Sequence, residues 1–193
     1  ASQVHGTSAV IVKKAWSYDQ APTADALVTN SSGIILAVLT ADCAPILLAD
    51  RKNFVVGVVH AGWRGALGGV VSSGIDAMLA LGAFRSSICA VIGPCIGPDS
   101  YEVGEEFFQS FIKDDNTSQN FFRPASRLQH HLFDLPGYVK YRLESEGIKD
   151  VFNVERDTYV EKSVFFSYRR NMQHGERRYG RLLSAISLRV GAD

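Results

Sequence analysis

The chain has 193 residues, 46% of them apolar, with 20 basic and 20 acidic side chains that leave no formal net charge. That is enough apolar material for a packed core; the balanced charge argues against a general nucleic-acid binder, and the ordinary composition against a disordered or fibrous chain. Three cysteines make no disulfide framework, so a reducing compartment, the cytoplasm, is expected.

With no internal repeat and no long linker, residues 1–193 read as a single domain that takes neither a membrane nor a nucleic acid as partner. The most apolar window, residues 33–49, carries Asp42 and Pro45, which a membrane-spanning helix would tolerate poorly.

In chain order, Val/Ile/Leu runs at residues 9–13, 33–39, 45–48 and 54–59 read as strands, continuous enough for burial on both faces. After His60 the period lengthens. Trp63, Leu67, Val70, Val71, Ile75, Met78 and Leu79 recur every three or four residues and predict one helix ending near Gly82. Residues 87–92 read as a buried strand, 104–112 as a short helix and the polar run 113–120 as a surface loop. Asp134 caps a helix that carries Pro136 in its first turn and reaches about Glu146, with Gly147 at its end. Segments 148–154, 164–167 and 182–188 complete the strands. Strands adjacent in sequence predict an α+β fold, with a mixed sheet or two packed sheets flanked by helices, and speak against a doubly wound parallel sheet. No Gly-rich nucleotide loop of known spacing occurs.

The reactive residues gather around His5, Cys43 and His60. If residues 45–49 and 54–59 form a hairpin centred between Arg51 and Lys52, Cys43 stands directly opposite His60, with Cβ atoms about 4.5–5.5 Å apart. A slip of one residue would part them. Pro45 marks the start of its strand and leaves Cys43 in irregular backbone. Such a pair supports two chemistries. In one, His60 helps hold Cys43 as a thiolate that attacks an acyl carbon; in the other, both join a third ligand around a zinc with an open position. Spacing alone does not bring His5 to the pair.

His130 and His131, beside a helix start, and His174, in a Gly/Arg-rich loop, read as solvated. The run Gly93-Pro94-Cys95-Ile96-Gly97-Pro98 reads as a structural corner, and Cys89 and Cys95 are given no metal role. Arg169, Arg170, Arg177, Arg178, Arg181 and Arg189 crowd the C-terminal stretch, mostly as a solvated face. They could also bind phosphate or pair with Glu102, Glu105 and Glu106.

Taken in order, QVHG, ADALVT (24–29), TADCAPILL, HAGWRG, IGPCIGPDSYEVG (92–104) and FFSYRR (165–170) resemble the bacterial family long labelled multicopper polyphenol oxidase or laccase. That family is more recently described as purine nucleoside phosphorylases with adenosine deaminase activity. The resemblance implies a zinc held by His5, Cys43 and His60. It also implies an α/β/β/α layered sandwich similar to the catalytic domain of cytotoxic necrotizing factor. The implied activity is phosphorolysis of adenosine, inosine and methylthioadenosine to free base and ribose 1-phosphate, plus adenosine deamination, with purine nucleosides and phosphate as the small-molecule partners. A zinc with one Cys and two His ligands could activate water against C6 of adenosine. Arg64, at the start of the helix after HAGW, is the candidate for phosphate. Asp42 is a candidate for supporting the centre or moving a proton.

A four-copper oxidase needs about ten histidines, largely in His-X-His pairs. This chain has five, none so spaced, which argues against that chemistry, although imidazole and thiolate also suit a single copper. Members of the family usually carry a segment before QVHG that is expected to be missing here, and Asp157-Thr158 stands where they tend to have Cys-Thr. Two rivals remain: a metal-free Cys43/His60 hydrolase, an amidase or deamidase acting for example on peptidoglycan precursors, and a nucleoside-binding protein without turnover.

Overall fold

Apolar runs separated by short polar turns fold here into strands, and the computed structural model describes residues 1–176 and 178–189. The chain runs β1 (Ala9–Ile11), β2 (Ala26–Thr29), β3 (Ile35–Thr40), β4 (Ala44–Asp50), β5 (Val55–Ala61), α1 (Trp63–Gly68), α2 (Val70–Ala80) and β6 (Ile88–Ile92). It continues through β7 (Glu102–Gly104), α3 (Glu105–Asp114), β8 (Phe122–Pro124), β9 (His130–Phe133), α4 (Leu135–Ser145), β10 (Asp150–Asn153), α5 (Tyr168–Gln173) and β11 (Leu182–Ser187).

A six-stranded sheet in the order β1-β2-β5-β4-β6-β10 is parallel at its two edges and antiparallel within. The fold is therefore α+β with mixed pairing, as expected. β5 lies inside the sheet and is buried along its whole length. One of its faces, with Val55, Val59 and Ala61, joins Ile46 and Leu48 in a core completed by Val70, Ile75 and Met78 of α2 and Tyr138 and Leu143 of α4. The other, with Val56 and Val58, packs against Leu36 and Val38 of β3, which pairs antiparallel with β11. Helices, large sheet and small sheet thus form three successive layers. Each fully buried aliphatic side chain contributes about 1.5–3 kcal/mol to this packing. α4 begins as predicted, Asp134 Oδ1 accepting from the Gly137 amide at 2.9 Å with Pro136 in the first turn. No helix among the described residues is long and apolar enough to cross a membrane.

Several expectations need correction. The β4–β5 hairpin pairs Pro45 with His60 and Ala44 with Ala61, so continuing the ladder sets Cys43 opposite Gly62. Asp50 causes the shift. Its Oδ1 accepts from the amides of Lys52 and Asn53, its Oδ2 from Asn53 Nδ2, and the turn becomes residues 51–54, closed by Phe54 at φ 53°. A displacement of two residues preserves the face, because side chains alternate with period two. The single helix expected after His60 breaks at Gly69, whose φ of 103° no ordinary side chain adopts readily.

Residues 164–167 form no strand; Ser167 caps α5, its Oγ accepting from the Arg170 amide at 3.1 Å. The polar run 113–120 holds the end of α3 and a 3-10 turn, Asn116–Phe121. β2 and the small sheet β7-β9-β8 were not expected at all. His130 and His131 lie on β9, which runs into the start of α4 as expected, but His131 is not freely solvated: its Nε2 is 2.7 Å from Glu105 Oε2 and its ring stacks on Phe108 at 4.3 Å.

Candidate metal centre

His60, near the end of β5, points with Val56 and Val58 toward the β3–β11 side, where the two sheets stop. Cys43 sits in the irregular turn that joins β3 to β4, next to Asp42 at φ 80°. His5 comes from the N-terminal loop, at φ 59°. One ligand atom from each of the three lies within 4.8 Å of the other two, and the imidazole rings meet edge to face at 4.8 Å. His60 is buried, Cys43 half-buried and His5 exposed.

Missing side chains make this convergence sterically feasible. A Cβ on Gly62 would lie 2.8 Å from His5 Cδ2 and 2.9 Å from Cys43 Sγ. A Cβ on Gly65 would lie 2.9 Å from the Gly6 carbonyl, and one on Gly68 2.9 Å from Thr7 Cγ2. Glycines at every third position, 62, 65 and 68, thus form a stripe on which the QVHG loop rests. That stripe is the sequence signal that could have brought His5 to the pair.

Asp25, which sequence reasoning passed over inside ADALVT, accepts from His60 Nδ1 at 2.8 Å. Burial pushes the His60 imidazole below its usual value and outweighs the opposing bond to Asp25, so the ring is neutral at pH 7. With the proton on Nδ1 facing a carboxylate, the Nε2 lone pair is left for a ligand. Burial, reinforced by Asp42 and Asp25, pushes the Cys43 thiol up to about 12. A bare thiolate is therefore strongly disfavoured here, and a divalent cation is what would relieve it. The donor set suits zinc and also copper. Asp42 receives three donors, Thr158 Oγ1 at 2.7 Å, Ser167 Oγ at 3.0 Å and the Arg169 amide at 2.6 Å. It ties the Cys43 turn to the start of α5.

The three residues open into a cavity of about 1150 Å³ whose walls include Trp16, Trp63, Tyr101, Tyr168 and Tyr179, with Arg64, Arg169 and Arg181 among them. Arg64 lies over the Trp63 ring at 4.5 Å. Arg169 is fixed by the Glu102 carbonyl at 2.7 Å, so the arginines reach no carboxylate of Glu102, Glu105 or Glu106 among the described residues, contrary to one expectation. Arg170 spends its guanidinium on the carbonyls of Thr158, Tyr159 and Phe165. Arg178, Arg189 and His174 are exposed, and Arg177 lies outside the described residues. The 93–98 corner is stapled to residues 156–158 through the backbone of Cys95, and Asp157 accepts from Ser100 Oγ at 2.6 Å beneath Gly97. Cys95 is buried and Cys89 half-buried, and neither belongs to the cluster.

Residues 1–189 match the family model described as multi-copper polyphenol oxidoreductase laccase. A purine nucleoside phosphorylase of Rickettsia conorii is 36% identical over 97% of this chain and 77% of its own length. Purine nucleoside phosphorylase YfiH of Escherichia coli is 35% identical, covering 90% of this chain and 68% of that one. Among solved structures, a Neisseria meningitidis protein aligns with a TM-score of 0.85 at 34% identity, over 97% of this chain and 73% of that one. Bacillus licheniformis YfiH, described as a hypothetical protein, gives 0.87 at 29%, over 98% and 73%.

Proposed function

The chain belongs to the multi-copper polyphenol oxidoreductase laccase family, and from that membership we propose that it is a zinc-dependent enzyme of purine nucleosides, as the names of its relatives suggest. The observation that carries the reading is the convergence of His5, Cys43 and His60, from three separate segments, on one point. When bound, a zinc in this three-ligand setting supplies Lewis acidity and an acidified water. The remaining work falls to the chain. The cavity tyrosines offer faces on which a purine stacks. Arg64 and Arg181, exposed at the cavity wall, offer guanidinium groups to phosphate.

In phosphorolysis of adenosine, inosine or methylthioadenosine, a phosphate oxygen bonds to C1′ of the sugar as the bond to the base nitrogen breaks. Ribose 1-phosphate, or its methylthio analogue, and the free base result. In deamination, water adds at C6 of adenosine and ammonia leaves. Asp42 holds the Cys43 turn in place for both. Residues 1–193 are taken as one catalytic domain, and the free thiols of Cys43, Cys89 and Cys95 support a reducing, cytoplasmic setting.

Four-copper oxidase chemistry is not proposed, since the chain has five histidines and two of them already form this centre. The metal-free hydrolase fares worse than the metal reading, because burial raises the Cys43 thiol and so disfavours the free thiolate that such a nucleophile requires. Protein purified without chelator should contain about one zinc per chain. With adenosine and phosphate it should release adenine, inosine or hypoxanthine, and Cys43→Ala should lose both metal and product. Substoichiometric metal with chelator-indifferent amidase activity would favour the hydrolase. Metal without any product above the Cys43→Ala background would leave a binding protein.

A further inference from the structure

Asp25 stands outside the three-donor cluster, yet two of the segments that build the cluster end on it. Its Oδ1 accepts from His60 Nδ1 at 2.8 Å and the His5 amide at 3.0 Å; its Oδ2 accepts from the Val4 amide at 3.2 Å and the Gly6 amide at 2.8 Å. A carboxylate offers about four acceptor positions, so the buried Asp25, 1% exposed, is filled.

Three successive amides around one anion form a nest, and a nest needs a residue in the left-handed region, here His5 at φ 59°. From that conformation the His5 ring meets His60 edge to face. The Asp25 carbonyl also accepts from the His60 amide at 2.7 Å, so residue 25 holds both the backbone and the ring of His60. Burial would raise the Asp25 carboxyl, but the bonds from His60, Gly6 and Val4 hold it below its usual value.

We propose that Asp25 is the positioning residue of this centre: one carboxylate that latches the 4–6 loop to the end of β5, keeps the His60 proton on Nδ1, and so assembles the three-donor geometry before any ion arrives. Its consequence for metal affinity rests on the metal reading above, whereas the latch concerns the protein alone. Asparagine cannot replace it, because the amide nitrogen brings two hydrogens to a place where protein hydrogens already point.

The test uses ¹⁵N-labelled full chain stripped of metal. In the unaltered protein, His60 should be the neutral Nδ1–H tautomer and the His5 and Gly6 amides should exchange slowly. In Asp25→Asn that tautomer should be lost and those amides should exchange at least about tenfold faster, while α4 amides keep their protection as evidence of an intact fold. Zinc affinity, measured against a competing chelator, should fall about 10- to 100-fold. An Nε2–H His60 or unprotected 4–6 amides in the metal-free unaltered protein would overturn the latch, even if Asp25→Asn fails to fold. A folded Asp25→Asn with undiminished zinc affinity would overturn its role toward the metal. If the unaltered protein takes up no zinc, the metal reading falls, and the tautomer and exchange data still decide the latch.

Discussion

Asp50 shows how one buried carboxylate can set the geometry of a distant centre. It collects the amides of Lys52, Asn53 and Phe84 together with Asn53 Nδ2 and Ser87 Oγ, and thereby chooses the hairpin register that sets Cys43 opposite Gly62. Burial alone would raise its carboxyl, but these donors hold it well below the usual range. A carboxylate depressed in the folded state stabilises above its unfolded value, near 4, and that contribution disappears as pH falls through the folded value. Asp50→Ala should therefore cost about 3 kcal/mol at pH 7, with buried amides left unpaired. The gap to the unaltered protein should narrow below about pH 4, as read from urea midpoints at the two pH values. A pH-independent gap would assign Asp50 a purely steric part. Asp25 was invisible in the sequence for a related reason. Its partners, His60 and the 4–6 amides, lie 19–35 residues away, and a lone Asp before an apolar run carries no sign of what it will accept from.

Among the elements, the long apolar runs were legible, and of the short strands β1 and β10 were read but β2 and the sheet β7-β9-β8 were not. The strands β3, β4, β5 and β6 follow from Val/Ile/Leu runs that no helix period fits, whereas β2 has four residues and each strand of β7-β9-β8 three or four, too few to show alternation. The break at Gly69 escaped notice because apolar residues keep their spacing across it. Cys43 and His60 were readable as neighbours, by a register that proved two residues off yet kept the parity; His5 entered through the family resemblance, although the 62/65/68 glycine stripe foreshadows it. That stripe makes a specific forecast. Gly62→Ala should reduce zinc uptake by at least about tenfold, since its Cβ would fall between His5 and Cys43. Gly104→Ala, with nothing within 4 Å of its Cβ, should leave uptake unchanged. Equal zinc titrations for the two variants would contradict the close-packing account.

At the scale of the whole molecule, the layers leave one surface unusually apolar for its exposure. On the outer side of β3–β11, Ile35, Leu39 and Leu183 are 72%, 40% and 67% exposed, with Leu183 directly across from Leu39. Leu183→Lys should raise solubility while shifting stability by no more than about 0.5 kcal/mol. Sedimentation and thermal melting check this, and a large loss of stability would mean that Leu183 packs inward. The α+β character was legible from strand adjacency; the pairing of the small sheet was not, because it joins residues 35–40 to 182–187, and no local pattern encodes so long a reach. Among the described residues, β3 makes its ladder with β11 alone, and β3 leads directly into the turn that carries Cys43. During synthesis on the ribosome, then, that strand waits unpartnered until residues 182–187 have also been made and have cleared the exit tunnel. Completion of the Cys43 turn is in that sense a late event relative to β3, and translation halted between the two segments should release a chain whose Cys43 has no finished frame around it.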